Sequence, residues 1–164
     1  MSDTKTPKPP AAQKGGAIIN SLGRLTAREF SEKIYAIARD PNPSVYRRLL
    51  EAGIPAQAVA KFAALIGKTK EEVFDRIGIS RATAHRLESA AKRISALESD
   101  AFTDMVGVVE KARGMLETEE NLRAWIDAPV PALNHLTPWQ AMADLRGRKE
   151  VSHLLDVIAA GTYA

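Results

Sequence analysis

The chain has 164 residues, no cysteine, a formal net charge of +3, and 45% hydrophobic but only 5% aromatic residues. That composition excludes a disulfide framework, a thiolate metal site and a cysteine nucleophile, and it points to one ordinary domain or two small ones with a core of Leu, Ile, Val and Ala. No apolar run approaches the roughly 20 residues needed to span a bilayer, and no apolar stretch follows the N-terminal lysines, so neither a membrane nor a secretory leader is expected and the compartment expected is the cytoplasm.

Residues 1–16 are rich in Lys, Pro, Ala and Gly, lack apolar periodicity, and are expected to form a disordered tail. From Thr26 to Arg39 the apolar positions Phe30, Ile34, Ile37 and Ala38 fall at helical spacing, and Thr26 with Glu29 three residues on makes a capping box. Pro41 and Pro43 stop that helix. A short one follows through Tyr46–Glu51, ended by Gly53, and another through Ala56–Ile66, opened by Pro55 and closed by Gly67. Thr69 and Glu72 form a second capping box for a helix running to Ile77. Gly78 breaks it, and Ser80 opens the next. An amphipathic helix is expected over Glu98–Leu116, with Phe102, Met105, Val106, Val109 and Ala112 on one face. Helix is expected again over Glu119–Ile126, loop over Asp127–Thr137, a helix from Pro138 ended by Gly147, and a last helix over Lys149–Ala160 stopped by Gly161. No segment alternates as a strand, so the fold class expected is all-α.

Charge is unevenly spread. Ser80–Arg93 carries Arg81, Arg86, Lys92 and Arg93 against the single acid Glu88, whereas Glu117–Ala164 carries four cations against seven carboxylates. The middle of the chain therefore suits an anionic partner and the C-terminal third does not. The same basic stretch has the offsets of a helix-turn-helix over about residues 70–88. Ile77 and Ile79 flank Gly78, and Val73, Ala84 and Leu87 stand at the positions that pack the two helices together. Ser80, Arg81, Ala82, His85, Arg86 and Ser89 are left facing outward. Arginines and short polar side chains can meet base edges and phosphates there, so operator DNA is the expected partner. Phe74 departs from the pattern, standing where these motifs usually carry a small residue.

Both tryptophans lie in the C-terminal third. A core position is expected for Trp125, while Trp139, next after a helix-opening proline, could be core or could equally sit at a surface as an interface anchor. His153 and Asp156 lie one helical turn apart, but no third ligand stands at a recognisable spacing, and no nucleophile elbow or phosphate-binding glycine loop is present. A small enzyme using His135 or His153 is thus disfavoured. A non-enzyme without metal or cofactor is expected.

The text Trp125, Pro129, Leu133, Thr137-Pro138, Gly147, Val151, Leu154-Leu155, Ile158 and Gly161-Thr162-Tyr163, preceded by Gly78-Ile79-Ser80-Arg81-Ala82-Thr83, resembles the Xre/MbcA/ParS antitoxins of RES-type toxin–antitoxin systems. The resemblance runs from about Gly53 to the end and departs at Asn134-His135 and at Phe74. It implies an N-terminal helical region over residues 17–116 with the Xre-like helix-turn-helix, then a small helical toxin-binding domain over residues 117–164. It further implies a RES-domain toxin that consumes NAD⁺, docked on the C-terminal domain and blocked at its active site by Gly161, Thr162, Tyr163 and Ala164; Trp139 joins these as a toxin-binding residue on its own position after the helix-opening proline. Operator binding would regulate the chain's own operon, in a homodimer or a higher hetero-oligomer with the toxin. The competing expectation is a stand-alone helix-turn-helix repressor whose C-terminal domain only dimerises.

Overall fold

The structure, a computed structural model, describes residues 16, 17 and 19–161. Most of the expected tail, residues 1–15, and the expected toxin contacts Thr162, Tyr163 and Ala164 lie outside the described residues. Helical residues begin earlier than the sequence pattern indicated. Residues 19–21 run into a 3-10 turn at Leu22–Arg24, and Ile19 and Leu22 are buried. This segment is too short for apolar periodicity to reveal it.

Nine α-helices follow among the described residues: α1 Ala27–Ala38, α2 Pro43–Ala52, α3 Ala56–Leu65, α4 Lys70–Arg76, α5 Arg81–Ser89, α6 Ala96–Leu116, α7 Glu119–Ile126, α8 Pro138–Ala141 and α9 Leu145–Ala159. No strand forms among these residues, and Pro55 and Arg93 make only an isolated antiparallel bridge. The all-α expectation holds. Local chemistry sets most helix starts. The Thr26 hydroxyl accepts from the Glu29 N–H, and the Glu29 carboxylate accepts from the Thr26 N–H at 2.9 Å. Pro43 does more than stop α1, because it opens α2 at the first helical position beside the Asn42 cap. Helix α6 starts at Ala96, two residues before the expected Glu98. Ser95 is its cap and Glu98 completes the box.

Gly147 is a second correction. It lies inside the first turn of α9 instead of closing a helix from Pro138, which lasts only to Ala141. The Asp144 side chain accepts from the Gly147 N–H at 2.9 Å and begins α9 there. A glycine is required for another reason: a Cβ at this position would lie 1.6 Å from the Ala141 carbonyl oxygen.

Helix α6 is the axis of the molecule. Phe102 stacks on Phe30 of α1 with centroids 5.9 Å apart and meets Phe62 of α3 edge-on at 5.1 Å. Met105, Val106, Val109 and Ala112 continue its buried face, which α1, α2, α7 and α9 pack against. Each fully buried aliphatic or aromatic side chain contributes roughly 1.5–3 kcal/mol relative to exposure. Polar contacts also cross this core, among them the Ile54 N–H donating to Ser99 Oγ of α6 at 3.1 Å. The Ser31 hydroxyl of α1 donates to the Glu110 carboxylate of α6, which Arg113 also pairs at 2.6 Å.

Candidate functional site

The capping box of Thr69 and Glu72 holds the start of α4, and Ile77 ends it. Gly78 then adopts φ +88°, a left-handed conformation that glycine takes without penalty. The Ile79 N–H donates back to the Phe74 carbonyl at 2.8 Å, which closes the turn. Val73, Phe74, Ile77, Ile79 and Ala84 are buried between the helices and the rest of the core, and Leu87 packs against them. Phe74, although larger than the usual occupant, is 1% exposed. Its side chain floors an open groove walled by Lys70, Arg81, Ala82 and His85. The departure from pattern is absorbed by the core.

All six expected DNA-facing residues are exposed: Ser80, Arg81, Ala82, His85, Arg86 and Ser89. Ser80 has a further task, since its hydroxyl accepts from the Thr83 N–H at 3.3 Å and donates to Thr83 Oγ1 at 3.0 Å. It is the N-cap of α5. Two details of the charge pattern change. Glu88 does not simply accompany Arg86: Lys70 reaches across from α4 and pairs with it at 3.0 Å, which raises the ammonium pKa. The acid is thereby neutralised at the edge of the basic face. Arg93 leaves the basic cluster, because its Nη1 donates to the Gly53 carbonyl at 2.7 Å. Sequence reasoning missed Lys70, and its position at the first residue of the capped helix was the available signal.

The C-terminal third begins with α7 gripping the other module. Arg123 donates from Nε to the Leu65 carbonyl at 3.1 Å and from Nη2 to the Ala64 carbonyl at 3.0 Å, satisfying the end of α3. Lys68 pairs with Asp127. Trp125 is half-buried against the core, short of the full burial expected, and Trp139 is buried at 6% exposure, which realises the core alternative of its two expected positions. Two cations cover the Trp139 ring, the Arg76 guanidinium at 4.6 Å and the Lys68 ammonium at 5.3 Å from its centroid. Thr137 and Pro138 start α8 so that the ring faces α4 instead of solvent, leaving Trp139 little surface to offer a partner. Burial lowers the pKa of Arg76, and its Nε has no hydrogen-bond acceptor among the described residues.

Between α7 and α8 the chain is more ordered than the expected loop. Pro131–Leu133 form a 3-10 turn, and the Leu133 side chain fills the core. Val130 donates to the Leu136 carbonyl at 3.0 Å and accepts from the His135 N–H at 3.1 Å. Asn134 and His135 both adopt left-handed conformations to close this loop. His135 therefore belongs to a turn, while His153 is exposed on α9 beside Glu150. Among the described residues, no three His, Asp or Glu side chains converge as a metal site would need. The turn and α9 enclose a groove lined by Val130, Pro131, Ala132, Leu154 and Ile158. Gly161, at φ +70°, ends α9 by donating to the Ile158 carbonyl at 3.0 Å.

A separate polar cleft lies where α9 meets α6 and α2. Arg148 is buried, and its Nε lies 3.8 Å from Asp104 without hydrogen bonding. Burial, and then the neighbouring Asp100 carboxylate, raise the Asp104 pKa. Tyr46 donates to Asp100. Among the described residues no helix is long and apolar enough to cross a membrane.

Known proteins bear on both halves. The family model for the antitoxin Xre-like helix-turn-helix domain matches residues 46–101. That for the antitoxin Xre/MbcA/ParS C-terminal toxin-binding domain matches residues 111–161. Among curated proteins the chain is similar to the Prs ADP-ribosylating antitoxin of Sphingobium sp. (strain YBL2), with 22% identity over 125 residues, covering 71% of this chain and 79% of that one. No solved structure matches.

Proposed function

The chain belongs to the Xre/MbcA/ParS antitoxin family, and from that premise we propose that it neutralises a RES-domain toxin that consumes NAD⁺, and that it binds operator DNA to regulate its own operon. The match of residues 111–161 to a toxin-binding domain carries this reading. The relative's name joins an antitoxin to ADP-ribosylation, a reaction that draws on NAD⁺, and ADP-ribosyl transfer is the reaction class we assign to the toxin. The chain acts by binding and not by catalysis.

The division of labour follows from the two surfaces. Helix α5 presents Arg81, Ala82, His85, Arg86 and Ser89 to the DNA groove, with Ser80 capping the helix and Lys70 beside it. Backbone N–H groups at the α5 start favour a phosphate. At the other end, Gly161 ends α9, and Thr162, Tyr163 and Ala164 beyond it enter the toxin's active site. The Tyr163 phenol offers a ring and a hydroxyl to such a pocket. Trp139 acts behind this surface, holding α8 against α4.

The test is co-expression with a candidate RES-domain toxin. Full-length antitoxin is expected to restore growth and to co-purify with the toxin. The chain ended at Gly161 is expected to lose protection, and full protection by it would defeat the active-site reading. A stand-alone repressor would instead bind its operator as a homodimer and ignore Tyr163→Ala.

A further inference from the structure

We infer that the groove between the 3-10 turn Pro131–Leu133 and α9 is the seat for an apolar segment of the toxin flanked by Lys or Arg side chains. This rests on the antitoxin reading and specifies where the partner docks, apart from the tail that enters its active site.

Helix α9 has two apolar stripes. The first, through Val151, Leu154 and Leu155, is buried. The second runs through Leu154, Val157 and Ile158, spaced three and four residues apart, and is continued towards the helix start by His153 and Glu150. Only the 3-10 turn covers one side of this second stripe. Ile158 is left 40% exposed, and Pro131 and Ala132 on the opposite wall are exposed too. The groove lining is apolar from Val130 to Ile158 and open to solvent, so it offers an apolar side chain of a partner a place to lie.

The wall is built before any partner arrives. Two prolines, Pro129 and Pro131, restrict the backbone. The Leu133 N–H donates to the Val130 carbonyl at 2.9 Å and the Asn134 N–H to the Pro131 carbonyl at 3.1 Å. The Leu133 side chain anchors the turn in the core. Binding here costs little ordering entropy, which is how a small patch becomes the energetic centre of a larger interface.

Charge and position identify the occupant. Asp156 is already paired with Lys111, whereas Glu150 at the groove's end has no ion-pair partner among the described residues. The C-terminal third as a whole carries seven carboxylates against four cations. A partner segment with basic flanks is therefore favoured over an acidic one. The groove lies within the matched toxin-binding region and ends next to Gly161, where the chain continues towards its last three residues.

The experiment measures affinity of the purified full chain for a candidate RES-domain toxin, by calorimetry, with Ala132→Glu and Ile158→Glu introduced separately. Both sites are exposed. Each variant is expected to keep its circular dichroism spectrum and its operator affinity, yet to lose about 30-fold or more in toxin affinity, the range of an interface hot spot. Should Ile158→Glu fail to fold, Ile158→Thr and Ala132→Glu carry the same test. Folded variants that bind toxin like the wild type overturn the inference and leave the antitoxin reading standing. So does a wild-type homodimer in sedimentation that Ile158→Glu dissociates while toxin binding stays intact, because the occupant is then a second copy. If ending the chain at Gly161 reproduces the loss and the groove substitutions add nothing to it, the groove holds the chain's own tail and the inference fails. A wild-type chain that binds no such toxin refutes the antitoxin reading itself.

Discussion

Gly147→Ala sets two effects of opposite sign against each other. Replacing glycine by alanine inside a helix ordinarily stabilises by roughly 0.5–1 kcal/mol, through reduced backbone freedom in the unfolded chain. At Gly147, however, the new methyl would sit 1.6 Å from the Ala141 carbonyl oxygen and 2.7 Å from its carbon. Real Cβ atoms do not come within 3.0 Å of such neighbours, so α8 and α9 must separate by more than an ångström. The clash is with backbone, and no rotamer change relieves it. Overpacking a tight site costs about 1–3 kcal/mol, and a backbone clash belongs at the upper end. A loss near 3 kcal/mol lowers the melting temperature of a chain this size by about 6–12 °C. Gly114→Ala is the internal control: it is in α6, exposed, with nothing within 4 Å of the added methyl. Thermal unfolding followed at 222 nm and urea titration should show Gly114→Ala stabilised and Gly147→Ala destabilised. If Gly147→Ala is as stable as the wild type, the close approach of α9 to α8 is refuted, and the turn that forms one wall of the groove loses its support.

Arg81→Ala and Arg86→Ala should each weaken operator binding by about 1–3 kcal/mol if they contact bases, as fluorescence anisotropy would register, and undiminished binding by the double variant would remove α5 from the interface. Trp139→Ala should cost about 3–5 kcal/mol in urea titration as a buried aromatic truncation, whereas Arg76→Gln, which removes one covering cation, should cost about 0.5–2 kcal/mol; equal effects would contradict the stacked geometry. Asp104 has a raised pKa in the folded chain, so its ionisation opposes folding, and that part of the stability is full below the ordinary aspartate value and lost as pH rises through the raised one. Asp104→Asn is accordingly expected to be more stable than wild type at pH 7 and to lose that advantage below about pH 4; a constant difference across the range would rule out titration as the cause.

Helix starts were legible because their chemistry is local. Thr26, Thr69, Ser80 and Thr137 each cap the helix that follows within three residues. Ser95 with Glu98 carried the same signal and places the start of α6. The exposed face of α5 was legible for a similar reason, since its register is fixed by counting from Gly78. Gly147 misleads because a glycine's local meaning is a helix end, while its role here is set by a carbonyl on another helix. Which tryptophan is buried was equally hidden. The answer depends on Lys68 and Arg76, far from Trp139 in sequence, which both lie over its ring. The apolar groove was illegible because its wall is a proline-containing segment with no periodicity to read.

The two regions that the family models match are not joined by a linker. Helix α6 runs from Ala96 to Leu116, so it begins inside the region matched by the helix-turn-helix family and ends inside the region matched by the toxin-binding family. At about 1.5 Å per residue it is a rod of roughly 30 Å, and its buried face serves both ends, with Phe102 packed on Phe30 and Phe62 and with α7 and α9 packed farther along. A second tie bypasses the rod. Arg76 covers Trp139 from the last turn of α4, only two residues before the Gly78 turn that aims α5. Were a toxin to displace α8, the Arg76–Trp139 contact would carry the movement to the end of α4, beside the Gly78 turn. Equilibrium coupling must be reciprocal: whatever factor the toxin imposes on operator affinity, the operator imposes on toxin affinity. If the Trp139 contact carries that coupling, Arg76→Gln brings the factor towards one while leaving each binding event alone nearly unchanged. If it only holds the modules together, the substitution lowers stability and the factor stays where it was.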